Sequence, residues 1–373
     1  MFWLVALPLT GKRDKQAVWD SLQETTVQSR LSVNHKLEIP ELRVGTLDTL
    51  MALSDDLAKT NTMIEQVVNK IKRQVNETGG PAAVSSLKVD GLPAEVYLTR
   101  FKWDESKFPS RRPLKETVDK IIEIMARIED DLKVKVSEYN TLKSQLNALA
   151  RKQTGNLAVR DISTIVQPQH LVDSENLATL FVLVSKFAVA EWEASYEKLS
   201  NFVVPRSSRY ITEDNDYVMM SVVLFKRVVD EFKAAARTKG YQVREYVAPA
   251  EGVEQGTAQL DTLKRDVDAR KGSLETWCRT AFGEAFVAWI HIVTVRLFVE
   301  AILRYGLPPQ FQAAVMAPAE KQDARLRAVL AGKFGDGKGA IWKDDGSGTG
   351  AGLAGDTEMF PYVSFSVNVT DAV

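Results

Sequence analysis

Cysteine is almost absent. Cys278 is the single one in 373 residues, so no internal disulfide can form, which fits a reducing compartment. Histidine is nearly as scarce. His35, His170 and His291 stand far apart, with no second His or Cys at the spacing of a zinc-site signature, so metal-centred chemistry is not expected. An excess of one charge is also missing. Forty-eight Lys and Arg face 49 Asp and Glu, a net charge of -1, which argues against nucleic-acid or polybasic membrane binding through bulk electrostatics. The apolar N-terminus, Met1 to Pro8, has no basic flank and stops too early for a signal peptide. It reads as a buried strand. The other long apolar stretch, Ala281 to Leu303, is interrupted by Glu284, His291, Arg296 and Glu300, so no membrane-crossing segment is expected. Sequons at Asn76 and Asn368 carry little weight without a secretory signal.

What is present is a folded composition, 45% hydrophobic and 26% charged, in a chain long enough for two or three domains. After Pro113 no Gly or Pro occurs until Gly155, which predicts one long helix of about 58 Å. Its positions Leu114, Val118, Ile121, Met125, Ile128, Leu132, Lys135, Tyr139, Leu142, Leu146 and Leu149 are spaced by fours and threes as a heptad seam. A second segment, Ala258 to Tyr305, repeats the pattern at Leu260, Leu263, Val267, Arg270, Leu274, Trp277 and Ala281, then turns apolar on nearly every side. The two are expected to pair antiparallel.

The expected fold class is α+β or α/β: an elongated two-lobed protein with a central α/β head lobe and a discontinuous α/β foot lobe, joined by a two-helix neck. The foot takes residues 1–112 and 307–373, the neck 113–155 and 258–306, and the head 156–257. In the head, Leu177 to Val184, Tyr217 to Leu224 and Tyr241 to Val247 read as strands, with helices over Ala188 to Leu199 and Phe225 to Ala236. In the foot, strands are expected at Phe2 to Leu7, near Leu31 to Leu37 and at Phe360 to Val369, with helices from Asp14 and after Gly45. Residues 332–355 hold 9 of the 21 glycines and read as a flexible loop.

Catalytic motifs fail one by one. Gly332 to Lys338 has phosphate-loop spacing, but Gly339 replaces the hydroxyl residue that would hold magnesium, and no strand precedes it. The Gly350, Gly352 and Gly355 match to a dinucleotide fingerprint lacks a βαβ unit. Carboxylate pairs such as Asp55–Asp56 and Glu213–Asp214 read as solvated faces. Cys278, beside Trp277 in the neck, reads as packing, and His291, in the most apolar helix, as a hydrogen-bonded core histidine. Arg206 and Arg209, flanking Ser207 and Ser208 in a turn, either grip an anionic partner or form a solvated loop. Phe101 and Trp103 lie in an aromatic segment that could staple the neck to the foot. No catalytic, cofactor or metal set emerges, and the expected shape suggests an assembly role.

Long, uncommon strings carry a resemblance. Ile39 to Asp48 (IPELRVGTLD), Leu53 to Lys59 (LSDDLAK), Tyr97 to Trp103 (YLTRFKW), Val204 to Ser208 (VPRSS), Phe282 to His291 (FGEAFVAWIH), Leu303 to Phe311 (LRYGLPPQF) and Pro361 to Val363 resemble the C subunit of the vacuolar proton-pumping ATPase. The chain departs from that family's pattern at Gly332 to Gly355 and near Thr78 to Gly91. The resemblance implies a non-catalytic, cofactor-free stator and assembly protein of the soluble V1 sector, elongated and two-lobed. It would bind the E and G peripheral-stalk subunits and the cytosolic domain of the membrane a subunit, on the cytoplasmic face of acidic organelles or free in the cytosol after disassembly. Arg206 and Arg209 in the head and Phe101 and Trp103 near the foot are the expected contacts; the alternative is a free-standing actin-binding adaptor. If the glycine tract binds no nucleotide, ATP leaves the melting temperature unchanged; a rise that Lys338→Ala abolishes would restore the nucleotide reading.

Overall fold

The computed structural model describes residues 1–9, 14–172, 174–246, 253–334 and 360–369. In chain order the elements are β1 (Phe2–Pro8), α1 (Lys15–Thr26), β2 (Ser32–Lys36), α2 (Leu47–Ser85), the short β3 (Lys88–Val89) and β4 (Leu92–Pro93), α3 (Ala94–Thr99) and α4 (Leu114–Thr154). There follow β5 (Leu177–Ser185), α5 (Val189–Ser195), β6 (Arg209–Glu213), β7 (Tyr217–Phe225), α6 (Val229–Thr238), β8 (Gln242–Arg244), α7 (Val253–Tyr305), β9 (Phe311–Pro318), α8 (Asp323–Phe334) and β10 (Val363–Val367). Contacts divide the chain into two compact units, Met1–Val136 with Ser273–Val373, and Ser137–Gly272.

In the first unit the sheet order is β10-β1-β9-β2, antiparallel throughout. β1 is central, and its residues Trp3 to Leu7 are wholly buried, which is why it is apolar at successive positions instead of alternating. Trp3, Val5 and Leu7 pack on Val18 and Leu22 of α1 and on Leu326, Leu330 and Phe334 of α8; Leu4 and Ala6 point to the opposite face. Asp14 caps α1 by accepting the Ala17 N–H at 2.7 Å. α2 is kinked where Gly80, at φ 75°, precedes Pro81: only glycine adopts that conformation readily, and proline has no N–H to continue the ladder.

The apolar half of α7 lies in this unit. It is the one helix among the described residues long and apolar enough to cross a membrane, with a mean hydropathy of 1.9, but 83% of that window is buried inside the protein. It is a core helix, as its apolar girth predicts.

The second unit carries another antiparallel sheet, ordered β6-β7-β5-β8. Val182, Val184, Met220 and Leu224 form one face with Trp192 and Tyr196 beside α5 and Phe232 and Ala236 of α6. Phe181, Leu183 and Met219 form the other, beneath Leu157, Ile162 and Val166. Asp214 accepts backbone N–H groups from Leu157 at 2.6 Å, Asp216 at 2.9 Å and Tyr217 at 2.7 Å. Burial alone would raise its pKa, but these donors hold it below the usual carboxylate range. A carboxylate expected on a solvated face is therefore a turn anchor.

The class is α+β, and the α/β reading is corrected. In the first unit β1 and β2 point the same way but do not pair, because β9, which sequence reading missed, lies between them. In the second, the unforeseen β6 returns the chain so that β7 runs antiparallel to β5. Neither sheet contains the adjacent parallel pair of a βαβ unit. Of the glycine-rich tract, α8 takes Gly332 to Phe334; Lys338 and the remaining glycines lie outside the described residues.

The heptad seam is visible in burial. Leu114, Val118, Ile121, Met125, Ile128, Leu132 and Tyr139 are buried, while Leu142, Leu146 and Leu149 are half-buried. The one polar seam position in α4, Lys135, sets its ammonium 5.7 Å from the centroid of Trp277, a seam residue of α7. In the second unit, Arg270 of the α7 seam reaches Glu138 of α4 at 3.2 Å. Gln145 and Leu149 share a depression with Ala258 and Thr262, so there the two helices run antiparallel. Leu132→Ala should lower unfolding stability by about 2–5 kcal/mol, and Leu146→Ala by less than about 1 kcal/mol, measured by denaturant titration; equal losses would contradict the graded seam.

Candidate partner-binding surfaces

The segment after α3 folds around a histidine. Asp104 closes a turn by accepting the N–H groups of Ser106 at 3.0 Å and Lys107 at 3.1 Å, and the Trp103 indole N–H donates to the Phe108 carbonyl at 2.7 Å. This brings Phe101, Trp103 and Phe108 onto His291 of α7, with ring centroids 5.0, 4.9 and 4.7 Å from the imidazole. The Asp104 N–H donates to His291 Nε2 at 3.1 Å, and Nδ1 lies 2.7 Å from the Val287 carbonyl. Those partners require a neutral ring with its proton on Nδ1. Burial is the main cause that pushes the His291 pKa down to about 4, outweighing the opposing Val287 hydrogen bond and Asp104 charge.

This placement concerns two of the expected contact residues. Phe101 is buried and Trp103 half-buried, and both rings pack on His291 of α7 and hold the segment to it. Lys102, Glu105, Ser106 and Lys107 are exposed.

The loop before β6 also differs from expectation. Arg206 and Arg209 are both exposed, but only Arg206 lies in the turn, at φ 58°, while Arg209 opens β6 and pairs with Ser221. The hydroxyls are engaged internally. Ser207 Oγ donates to the Val204 carbonyl at 2.6 Å and accepts the Val223 N–H at 3.2 Å; Ser208 Oγ accepts the Trp192 indole N–H at 2.9 Å. The Arg206 N–H donates to Glu197 Oε1 at 2.8 Å. That bond, together with the Tyr196 hydroxyl, holds the Glu197 carboxyl below the usual range. Both arginines are thus exposed, whereas the serine hydroxyls are engaged internally.

Sequence reading missed a neighbouring cluster. The Arg227 guanidinium lies 3.8 Å from the centroid of Phe202 and 5.7 Å from that of Phe225, and the two rings meet edge-on at 5.9 Å. Phe202 is 53% and Phe225 36% exposed. The available signal was the alternation of β7, which sets Phe225 on the face of Met219 and Val223 but at the strand's end.

Chemistry elsewhere is structural. Cys278 is buried, and burial, with Glu275 as a lesser cause, pushes its thiol up to about 11, so the reactive thiolate is suppressed. Among the described residues no group of three or more His, Cys, Asp or Glu could hold a metal ion.

His291 makes a pH test possible. Its folded pKa, about 4, lies below the ordinary 6.5, so the unfolded chain binds the proton more tightly and stability rises with pH. The contribution is complete above about 6.5 and is lost as pH falls toward 4. Thermal melting from pH 7 to 5 should show a declining midpoint that flattens in His291→Gln, which keeps a donor and an acceptor but cannot titrate; parallel profiles would refute this assignment.

The family model for the C subunit of the V-ATPase matches residues 2–363. A V-type proton ATPase C subunit of Arabidopsis thaliana is 46% identical over 372 residues, 99% of each chain. That of Hordeum vulgare is 45% identical over 82% of this chain and 88% of its own, and the V-type proton ATPase C subunit 1-B of Danio rerio is 39% identical over 99% and 98%. Similarity at this level spans both units, and by it the chain belongs to the V-ATPase C-subunit family.

Proposed function

We propose that the protein is a non-catalytic stator and assembly subunit of the V1 sector, tying the E and G peripheral stalks to the membrane sector and needed for coupling and regulated assembly. One observation carries this reading: relatives named as a subunit of a proton pump match the chain along essentially its whole length. The physical requirement is mechanical. Rotary catalysis generates torque, so the catalytic head must be held against the membrane sector by several contacts, each of which can be modest if they act together.

In this reading Arg206 and Arg209 meet the E–G heterodimer, while the exposed Lys102 to Lys107 edge, held in place by Phe101 and Trp103, faces the cytosolic domain of the a subunit. The protein then works at the cytoplasmic face of vacuolar and other acidic-organelle membranes, and is free in the cytosol on disassembly. It uses no cofactor. The actin-binding adaptor is not favoured, because the relatives are named for the pump.

Calorimetric titration of the full chain with recombinant E–G heterodimer tests it. Saturable one-to-one binding is expected, weakened about tenfold or more by Arg206→Glu with Arg209→Glu, an effect that shrinks at high salt. Absence of binding would refute the stator reading.

A further inference from the structure

We propose that Phe202, Phe225 and Arg227 form the anchor of a protein-docking surface, shaped for an acidic segment that brings an apolar side chain beside a carboxylate. This rests on the stator reading and makes it specific: the segment belongs to the E–G heterodimer.

Three independent observations converge on the cluster. The first is backbone strain. Phe202 holds φ at 66°, a left-handed conformation that is unusual for a bulky aromatic residue and persists where the surroundings impose it. Here they do so through the Phe225 N–H, which donates to the Phe202 carbonyl at 3.2 Å, and a bridge between Val203 and Leu224. The second is exposure. This strained conformation presents the ring to solvent instead of burying it, alongside a second phenyl ring. The third is an unpaired charge. Among the described residues no carboxylate forms an ion pair with Arg227, and its guanidinium stacks on Phe202. Stacking leaves the in-plane N–H donors available for bidentate capture of a carboxylate.

The geometry is preorganised. Phe225 ends β7, whose register against β5 is continuous from Tyr217 to Phe225. Arg227 follows in a turn where the Lys226 N–H donates to the Asn176 carbonyl at 2.9 Å. Little ordering entropy remains to be lost on binding, and an aromatic pair with an arginine is the composition of an interface hot spot.

Charge complementarity names the occupant. Lys226, between Phe225 and Arg227, is exposed, as are Arg206 and Arg209 on the Phe202 segment, while the exposed carboxylates Asp230 and Glu231 lie further on in α6, so the charge directly beside the rings is cationic and selects a short acidic sequence. A nucleic acid or anionic lipid surface is disfavoured. The chain's net charge of -1 supplies no long-range attraction for a polyanion.

The test uses the full chain, recombinant E–G heterodimer, and the variants Phe202→Gly, Arg227→Glu and, as a control on α6, Arg237→Glu. Glycine suits the left-handed position, so Phe202→Gly should keep or raise the melting temperature while weakening binding at least tenfold. Arg227→Glu should weaken it at least tenfold, and Arg237→Glu less than twofold. If the wild type binds and both anchor variants bind equally well, the anchor is refuted and the stator reading stands. If the wild type does not bind at all, both fall. A single-stranded DNA oligonucleotide and phosphatidylserine vesicles serve as counter-probes; anchor variants that lose those ligands but keep the heterodimer would overturn the acidic-segment assignment.

Discussion

Burial of the apolar half of α7 is the constraint on which the first unit depends. From Phe282 to Ile302 nearly every side chain is removed from water, and at roughly 2 kcal/mol for each large apolar side chain this is a major part of that unit's stabilisation. A helix apolar on all sides must be enclosed on all sides. Four of the polar side chains it carries have hydrogen-bond partners. The Trp289 indole N–H donates to Asn61 Oδ1 at 3.1 Å, Thr294 donates to the Ile290 carbonyl at 2.8 Å, Glu300 accepts from the Ser54 hydroxyl, and His291 takes the Asp104 N–H. These bonds fix α2 and the segment after α3 against α7 in one arrangement, because a shift would leave a buried polar group unpaired.

The seam shows a related economy. Lys135 and Arg270 interrupt two otherwise apolar stripes, and each finds a complementary group on the other helix, Trp277 for one and Glu138 for the other. Polar positions in a helix pair weaken it slightly and specify its register. Such specification matters where the apolar stripe is thinnest, at the half-buried Leu142, Leu146 and Leu149.

What could be read in the sequence was whatever depends on local periodicity. The seam of α4, the girth of α7 and the buried strand β1 follow from spacing alone, and the family strings carried identity. Sheet order did not follow, because β9 is a plain run (FQAAVMAP) of small residues whose place between β1 and β2 is decided by distant pairing. The candidate residues show the same division. Phe101 and Trp103 lie in a segment that does hold an element in place, yet their inward direction depends on His291, far along the chain. Ser207 and Ser208 were the right donors for an anion by type, but cross-strand neighbours had already engaged them. The Phe202 cluster needs a left-handed backbone and a cross-strand partner, neither of which one sequence displays.

The position of β1 has a consequence for biosynthesis. This strand leaves the ribosome well before both of its sheet partners, β9 and β10, which lie far along the chain. The second unit is contiguous and can gather its contacts while translation continues. The first cannot close its sheet until β9 and β10 appear, and meanwhile Trp3 to Leu7 remain an unpaired, sticky edge. The nascent polypeptide is therefore a natural client for holding chaperones, and a ribosome that stalls after the second unit releases a product with one finished half and one aggregation-prone half.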